Sequence, residues 1–144
     1  MNYLIATVLA MVLVSACIFV HYEALNLLAR MEHRPGRHRW MIILTMHGLL
    51  AAHVVEIWLF GFGHYAATQW LQVGTVLVPG QGLAETVFDH VYYSAMVYTT
   101  VGFGDMVPSG AVRMMTSTEA ISGLALIAWS ASFTFLQMQR VWRR

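Results

Sequence analysis

One run concentrates the chemically suggestive residues: Thr99-Thr100-Val101-Gly102-Phe103-Gly104-Asp105. Hydroxyls, a β-branched residue and two glycines flanking an aromatic suit neither a helix nor an ordinary strand. They suit a backbone that must point successive carbonyls the same way. In a plain strand each residue turns its carbonyl opposite to the last, so a one-sided row needs ordinary and left-handed φ to alternate. Gly102 and Gly104 reach left-handed φ without a Cβ clash. The oxygens of Thr100, Val101, Gly102 and Phe103, together with the Thr100 hydroxyl, would then replace the hydration shell of a cation. A lone Gly-x-Gly would read as a turn; the full run, set in an apolar chain between two spans, does not.

On these residues the chain resembles the pore-loop potassium channels, with Phe103 where most members carry tyrosine. The resemblance covers residues 40–144. It implies an all-α membrane protein with three transmembrane helices, a re-entrant pore helix and a selectivity filter, assembled as a tetramer. K+ would sit at Thr100, Val101, Gly102 and Phe103, with Gly104 completing the filter. It implies a supporting set as well: Thr99, Asp105, the aromatic pair Tyr92 and Tyr93, and Met96, where some relatives carry glutamate. The Tyr93 hydroxyl is the expected donor to Asp105. Gly123 lies where the family often has a hinge glycine, and it reads equally well as a place of close approach to the pore helix. From the same alignment Ile127, Ala131 and Phe135 face the pore, with Phe135 narrowing the inner mouth.

Composition agrees with a membrane setting. Of 144 residues, 58% are hydrophobic and 10% charged, where a soluble domain carries about a quarter charged. Every base is arginine. One cysteine, Cys17, excludes an internal disulfide framework. Val14-Ser15-Ala16-Cys17 resembles a lipidation box, but the preceding residues carry no base, so a core cysteine is expected.

Residues 1–39 read as a first transmembrane helix and a basic cytoplasmic linker, and 40–144 as a pore module. Within the module the outer helix is expected at 40–62, a turret at 63–82, a pore helix at 83–98, the filter at 99–105 and the inner helix at 114–140. Each long apolar run exceeds the ~20 residues that cross a bilayer core. The pore helix is too short to span, so it re-enters, and its C-terminal dipole favours a cation beneath it. Two carboxylates, Glu56 and Glu119, fall within spans, where a charge costs a few kcal/mol unless paired, neutral or near water. His53 and Glu56 share a helix face. They read as packing hydrogen bonds around the filter ahead of a metal site, and one of the carboxylates Glu56 and Glu119 is expected either to be protonated or to pair with Arg113. His64 and His90 in the outer region invite a pH response.

Arginines 30, 34, 37, 39, 140, 143 and 144 fall on one expected side, with Arg113 alone on the other. This places the N-terminus outside and the C-terminus in the cytoplasm of a multi-pass cell-membrane protein. There is one filter run per chain, and one strand cannot encircle an ion, so closed symmetry is required. No catalytic constellation, cofactor or nucleic-acid surface is expected; K+ is the transported ion and the bilayer the other partner. The rival readings are a weakly selective cation channel, a membrane metal or haem protein using His21, His47, His53 and His64, and an accessory subunit.

Overall fold

The computed structural model describes residues 1–31 and 38–142. Three helices are long and apolar enough to cross a membrane. These are α1 (Asn2–Met31), α2 (His38–Tyr65) and, last in the chain, α4 (Val112–Trp142). At 1.5 Å per residue, the thirty residues of α1 extend about 45 Å, ample for a ~30 Å hydrocarbon layer. Arg34 and Arg37 of the expected basic linker, and Arg143 and Arg144 of the basic end, lie outside the described residues.

Between α2 and α4 lies the segment expected to re-enter the membrane, and it holds more order than the sequence suggested. The stretch expected as an irregular turret begins inside α2, which runs to Tyr65 and continues as a π-helical turn over Ala66–Trp70. A hairpin follows, β1 (Gly74–Val78) and β2 (Gly82–Leu83), closed by a bond from the Gln81 amide to the Val78 carbonyl. The aliphatic and β-branched run Thr75-Val76-Leu77-Val78 supplies strand propensity. After the filter the chain returns as β3 (Val107–Gly110), which pairs antiparallel with β1, Thr75 opposite Ser109 and Leu77 opposite Val107. The result is a three-stranded sheet in the order β2-β1-β3. It ties the strand that follows residues 99–105 to the segment that precedes the helix beginning at Val87.

That helix, α3 (Val87–Tyr98), starts four residues later than 83. Thr86 explains the shift: its hydroxyl accepts from the Asp89 amide at 3.1 Å, while its own amide donates to the Asp89 carboxylate at 3.0 Å. This reciprocal capping box sets the first turn.

α1 packs along the module rather than beside it. Ala6 and Ala10 are buried in one cluster with Val76, Tyr93, Val112 and Met115. Cys17 is buried in a second with Phe60, Tyr98 and Leu126, as a small apolar side chain would be. Leu25 and Leu28 meet Leu49 in a third. Ala6, Ala10 and Cys17 face inward, and the exposed residues of α1 include Leu4, Val8, Met11, Val12, Ile18 and Phe19, an apolar outer surface suited to lipid. The all-α membrane class holds, with the small sheet as an addition.

Candidate functional site: the carbonyl run and its buried supports

At the end of α3 the backbone does what the run of residue types requires. Thr100, Gly102 and Gly104 take φ of +58°, +53° and +79°, while Val101 and Phe103 between them do not take positive φ. Alternation of this kind turns successive peptide planes to one side. Thr100 is the costly member, because a β-branched residue at positive φ is an outlier. Its amide is held by the Val97 carbonyl at 3.0 Å, and the Gly102 amide by the Met96 carbonyl at 3.2 Å. Met96 thus supports the run through its main chain. Thr99 closes α3 with its hydroxyl on the Ala95 carbonyl at 2.7 Å. All of residues 99–105 are exposed in the single chain, Val101 at 53% and Phe103 at 69%.

The aromatic pair divides its work differently from expectation. The donor to Asp105 is Tyr92, whose hydroxyl lies 2.7 Å from the carboxylate; Tyr93 does not fill that role. Consecutive helical residues point about 100° apart, and Tyr93 points into the core, 2% exposed, with its hydroxyl 2.7 Å from that of Thr116 on α4. The bond to Asp105 holds the Tyr92 phenol above its ordinary range.

Behind the run lie two buried carboxylates. Glu56 on α2 meets His21 Nδ1 of α1 at 2.9 Å, His53 Nδ1 at 3.0 Å, and the hydroxyl of Tyr98, the last residue of α3. His53 Nε2 and His21 Nε2 both reach the Ser130 hydroxyl of α4, at 3.0 and 3.3 Å. Four helices thus meet at one polar knot directly before the filter run. Glu119 on α4 pairs with His64 Nε2 of α2 at 2.7 Å and with the Ser94 hydroxyl of α3. The expected partner Arg113 lies on an exposed part of α4 instead.

The remaining histidines fall into place around these centres. His64 and His90 are fully buried, and His90 meets the Thr68 hydroxyl at 2.8 Å. Burial holds His90 below the usual imidazole range. Between His21 and His53 there is no room for a haem: their rings are 5.3 Å apart with Glu56 bonded to both.

On α4, Gly123 touches the pore helix. A Cβ there would lie 2.2 Å from the Tyr98 carbonyl oxygen, so the close-approach reading acquires a physical contact. Ile127, Ala131 and Phe135, spaced one helical turn apart, are exposed together. His21, Tyr98, His64 and Ser94 were not recognised from sequence as partners of the carboxylates. They lie 25 to 55 positions from the carboxylates they meet, and no local periodicity signals such pairs.

A family model described as "Ion channel" matches residues 42–140. No curated protein and no solved structure gives a significant match. The matched segment contains the carbonyl run, both buried carboxylates and α4 as far as Arg140.

Proposed function

This chain belongs to the pore-loop ion channel family, and from that premise we propose that it is a potassium-selective channel of four identical chains. The observation that carries the reading is the alternation of φ at Thr100, Gly102 and Gly104, the condition for a row of carbonyls facing one ion path. Those oxygens substitute for water around a dehydrated K+, and several sites in series let ions displace one another.

Closed symmetry follows from the chemistry of coordination, and the family resemblance makes the number of copies four. A single row cannot surround an ion, and the run is exposed along its whole length with large apolar side chains at Val101 and Phe103. Closed symmetry covers these side chains and surrounds the ion with the same act. Ile127, Ala131 and Phe135 then line the path below the filter, where α3 directs the negative end of its dipole.

The orientation is N-terminus outside and C-terminus cytoplasmic, from the arginine distribution. Glu85, Asp89 and Asp105 then surround the outer mouth and concentrate cations there. Hydrogen bonds from Thr86 hold the Asp89 carboxyl below the usual carboxylate range, so it stays charged at neutral pH. The protein performs transport without catalysis.

Flux from purified protein in liposomes, with a K+ gradient against a Na+ gradient, tests the proposal. K+-selective flux that is lost on Gly102→Ala is the expected result, because alanine at φ of +53° costs about 1 kcal/mol or more and disturbs the row. Equal flux of both ions overturns selectivity and keeps the pore. A purified tetramer that passes no ion under any condition overturns the channel reading in favour of an accessory subunit.

A further inference from the structure

The knot around Glu56 contains more polar contacts than its hydrogens can serve. Neutral His21 and His53, Ser130 and Tyr98 offer one polar hydrogen each. Against these four stand six contacts: each imidazole Nδ1 to Glu56, each Nε2 to Ser130, Tyr98 to Glu56, and His53 Nδ1 to the Tyr98 oxygen at 2.8 Å. Turning either ring exchanges which end is short of hydrogen without curing the shortage. One added proton, giving an imidazolium opposite the carboxylate, serves one contact more and leaves the crowded corner of His53, Tyr98 and Glu56 sharing.

We propose that this corner is a binding site for a divalent transition metal ion of the zinc class, held by His21, His53 and Glu56 with the Tyr98 oxygen in the fourth position. Three donor atoms, one from each of the first three residues, already lie within 4.8 Å of one another. Two imidazoles and a carboxylate form a donor set that zinc takes with one further ligand. The surroundings fit as well. With the metal on both Nδ1 atoms, both Nε2–H groups donate to Ser130 Oγ, whose two lone pairs accept both, the outer bond that orients a ligating histidine. One ion then serves every contact in the corner.

Atoms and charge balance in the exchange. Binding forms the metal–nitrogen and metal–oxygen bonds and expels the Tyr98 proton, together with any proton on the ligating nitrogens. The ion's two positive charges then meet two negative ones, the carboxylate and the phenolate. His53 supplies the way in, since its side chain is 15% exposed while those of His21 and Glu56 are fully covered. A metal so placed joins α1 to the residue immediately before the filter.

The test uses the full chain, purified without a polyhistidine tag and carrying His47→Gln to remove an exposed imidazole. Co2+ is the probe. The expected result is one Co2+ per chain with the intense visible absorption of a four-coordinate nitrogen–oxygen site, displaced by Zn2+. Affinity should fall by at least about tenfold per pH unit on acidification, the signature of proton release on binding. His21→Gln and His53→Gln should each weaken binding more than about tenfold. Absence of the absorption, or its survival in both variants, overturns the proposal and leaves a proton as the occupant. Should a variant fail to fold, the unsubstituted site decides alone through stoichiometry, spectrum and pH slope. The site lies within one chain and its readout is independent of flux, so loss of the channel reading and loss of this one are separately visible.

Discussion

Glu56 and Glu119 are both fully buried carboxylates, and each meets an imidazole on α2. Their surroundings differ in a way that separates packing from possible chemistry. At Glu119 the Ser94 hydroxyl faces two acceptors, the carboxylate and the Ile57 carbonyl, with one hydrogen to give. The missing hydrogen belongs on the Glu119 carboxyl. His64 cannot supply it, because its Nδ1 has no partner among the described residues and its Nε2–H already points at the other oxygen. That centre is complete as a neutral acid tying α2, α3 and α4 together. At Glu56 two imidazoles, a phenol and a serine converge from four helices, and no arrangement of their own hydrogens completes the set. A single imidazole makes a clasp, whereas two converging ones make a site.

The sharpest way to break this contrast is to replace each carboxylate by its amide in metal-free protein. Glu119→Gln should cost less than about 1 kcal/mol, since an amide both donates to Ser94 and accepts from His64. Glu56→Gln should cost about 3–5 kcal/mol, because the amide nitrogen faces donors that need an acceptor. Thermal unfolding of the purified protein reads both, and equal losses would erase the distinction.

Gly123→Ala approaches the Glu56 centre from α4. Its methyl group would overlap the Tyr98 carbonyl, so a loss of about 1–3 kcal/mol is expected from overpacking. K+ flux should fall with it, since Tyr98 both anchors the knot and precedes the filter. Unchanged stability would mean that α4 and α3 separate freely there.

The tyrosines sharpen the comparison further. Tyr98→Phe removes a buried donor and should cost about 1–3 kcal/mol, with altered flux. Tyr92→Phe removes the exposed bond to Asp105 and should cost less stability than Tyr98→Phe, read instead as faster loss of conduction during sustained flux. Similar effects from both would show that the inner and outer filter supports are one unit.

The smallest effect is the pH dependence of the α3 cap. The Asp89 carboxyl is held below its ordinary range by Thr86, so its contribution is fully present above that range, near pH 4 and upward. It is lost as pH falls through the lower native value. Thr86→Ala should cost about 1 kcal/mol at pH 7 and less when Asp89 is protonated. Melting temperatures of both proteins at pH 7 and pH 3 should converge, and parallel curves would place the pH response elsewhere.

Much of this architecture was legible in the chain. Long apolar runs mark the spans because a bilayer core admits nothing else of that length. The carbonyl run was legible because left-handed φ is a local demand and glycine is its local answer; Thr100, carrying positive φ without that freedom, escaped notice. The hairpin escaped because Gly74–Leu83 is short and its third strand comes from beyond the filter. The choice between Tyr92 and Tyr93 turned on helical phase, which a one-position ambiguity of register hides.

What residue order settled alone were the properties that neighbours in the chain decide: span length, helix cap, basic and acidic distribution, and the backbone habit of the filter run. The partners of Glu56 and Glu119 belong to another category. A buried carboxylate must find donors, and many histidines, tyrosines and serines along these helices could have met that need. Which ones did so depends on the rotation of each helix and on the depth at which α1 packs, and both are set by interlocking side chains far apart in sequence. Ala6, Ala10 and Cys17 let α1 approach closely, and that approach brought His21 to Glu56.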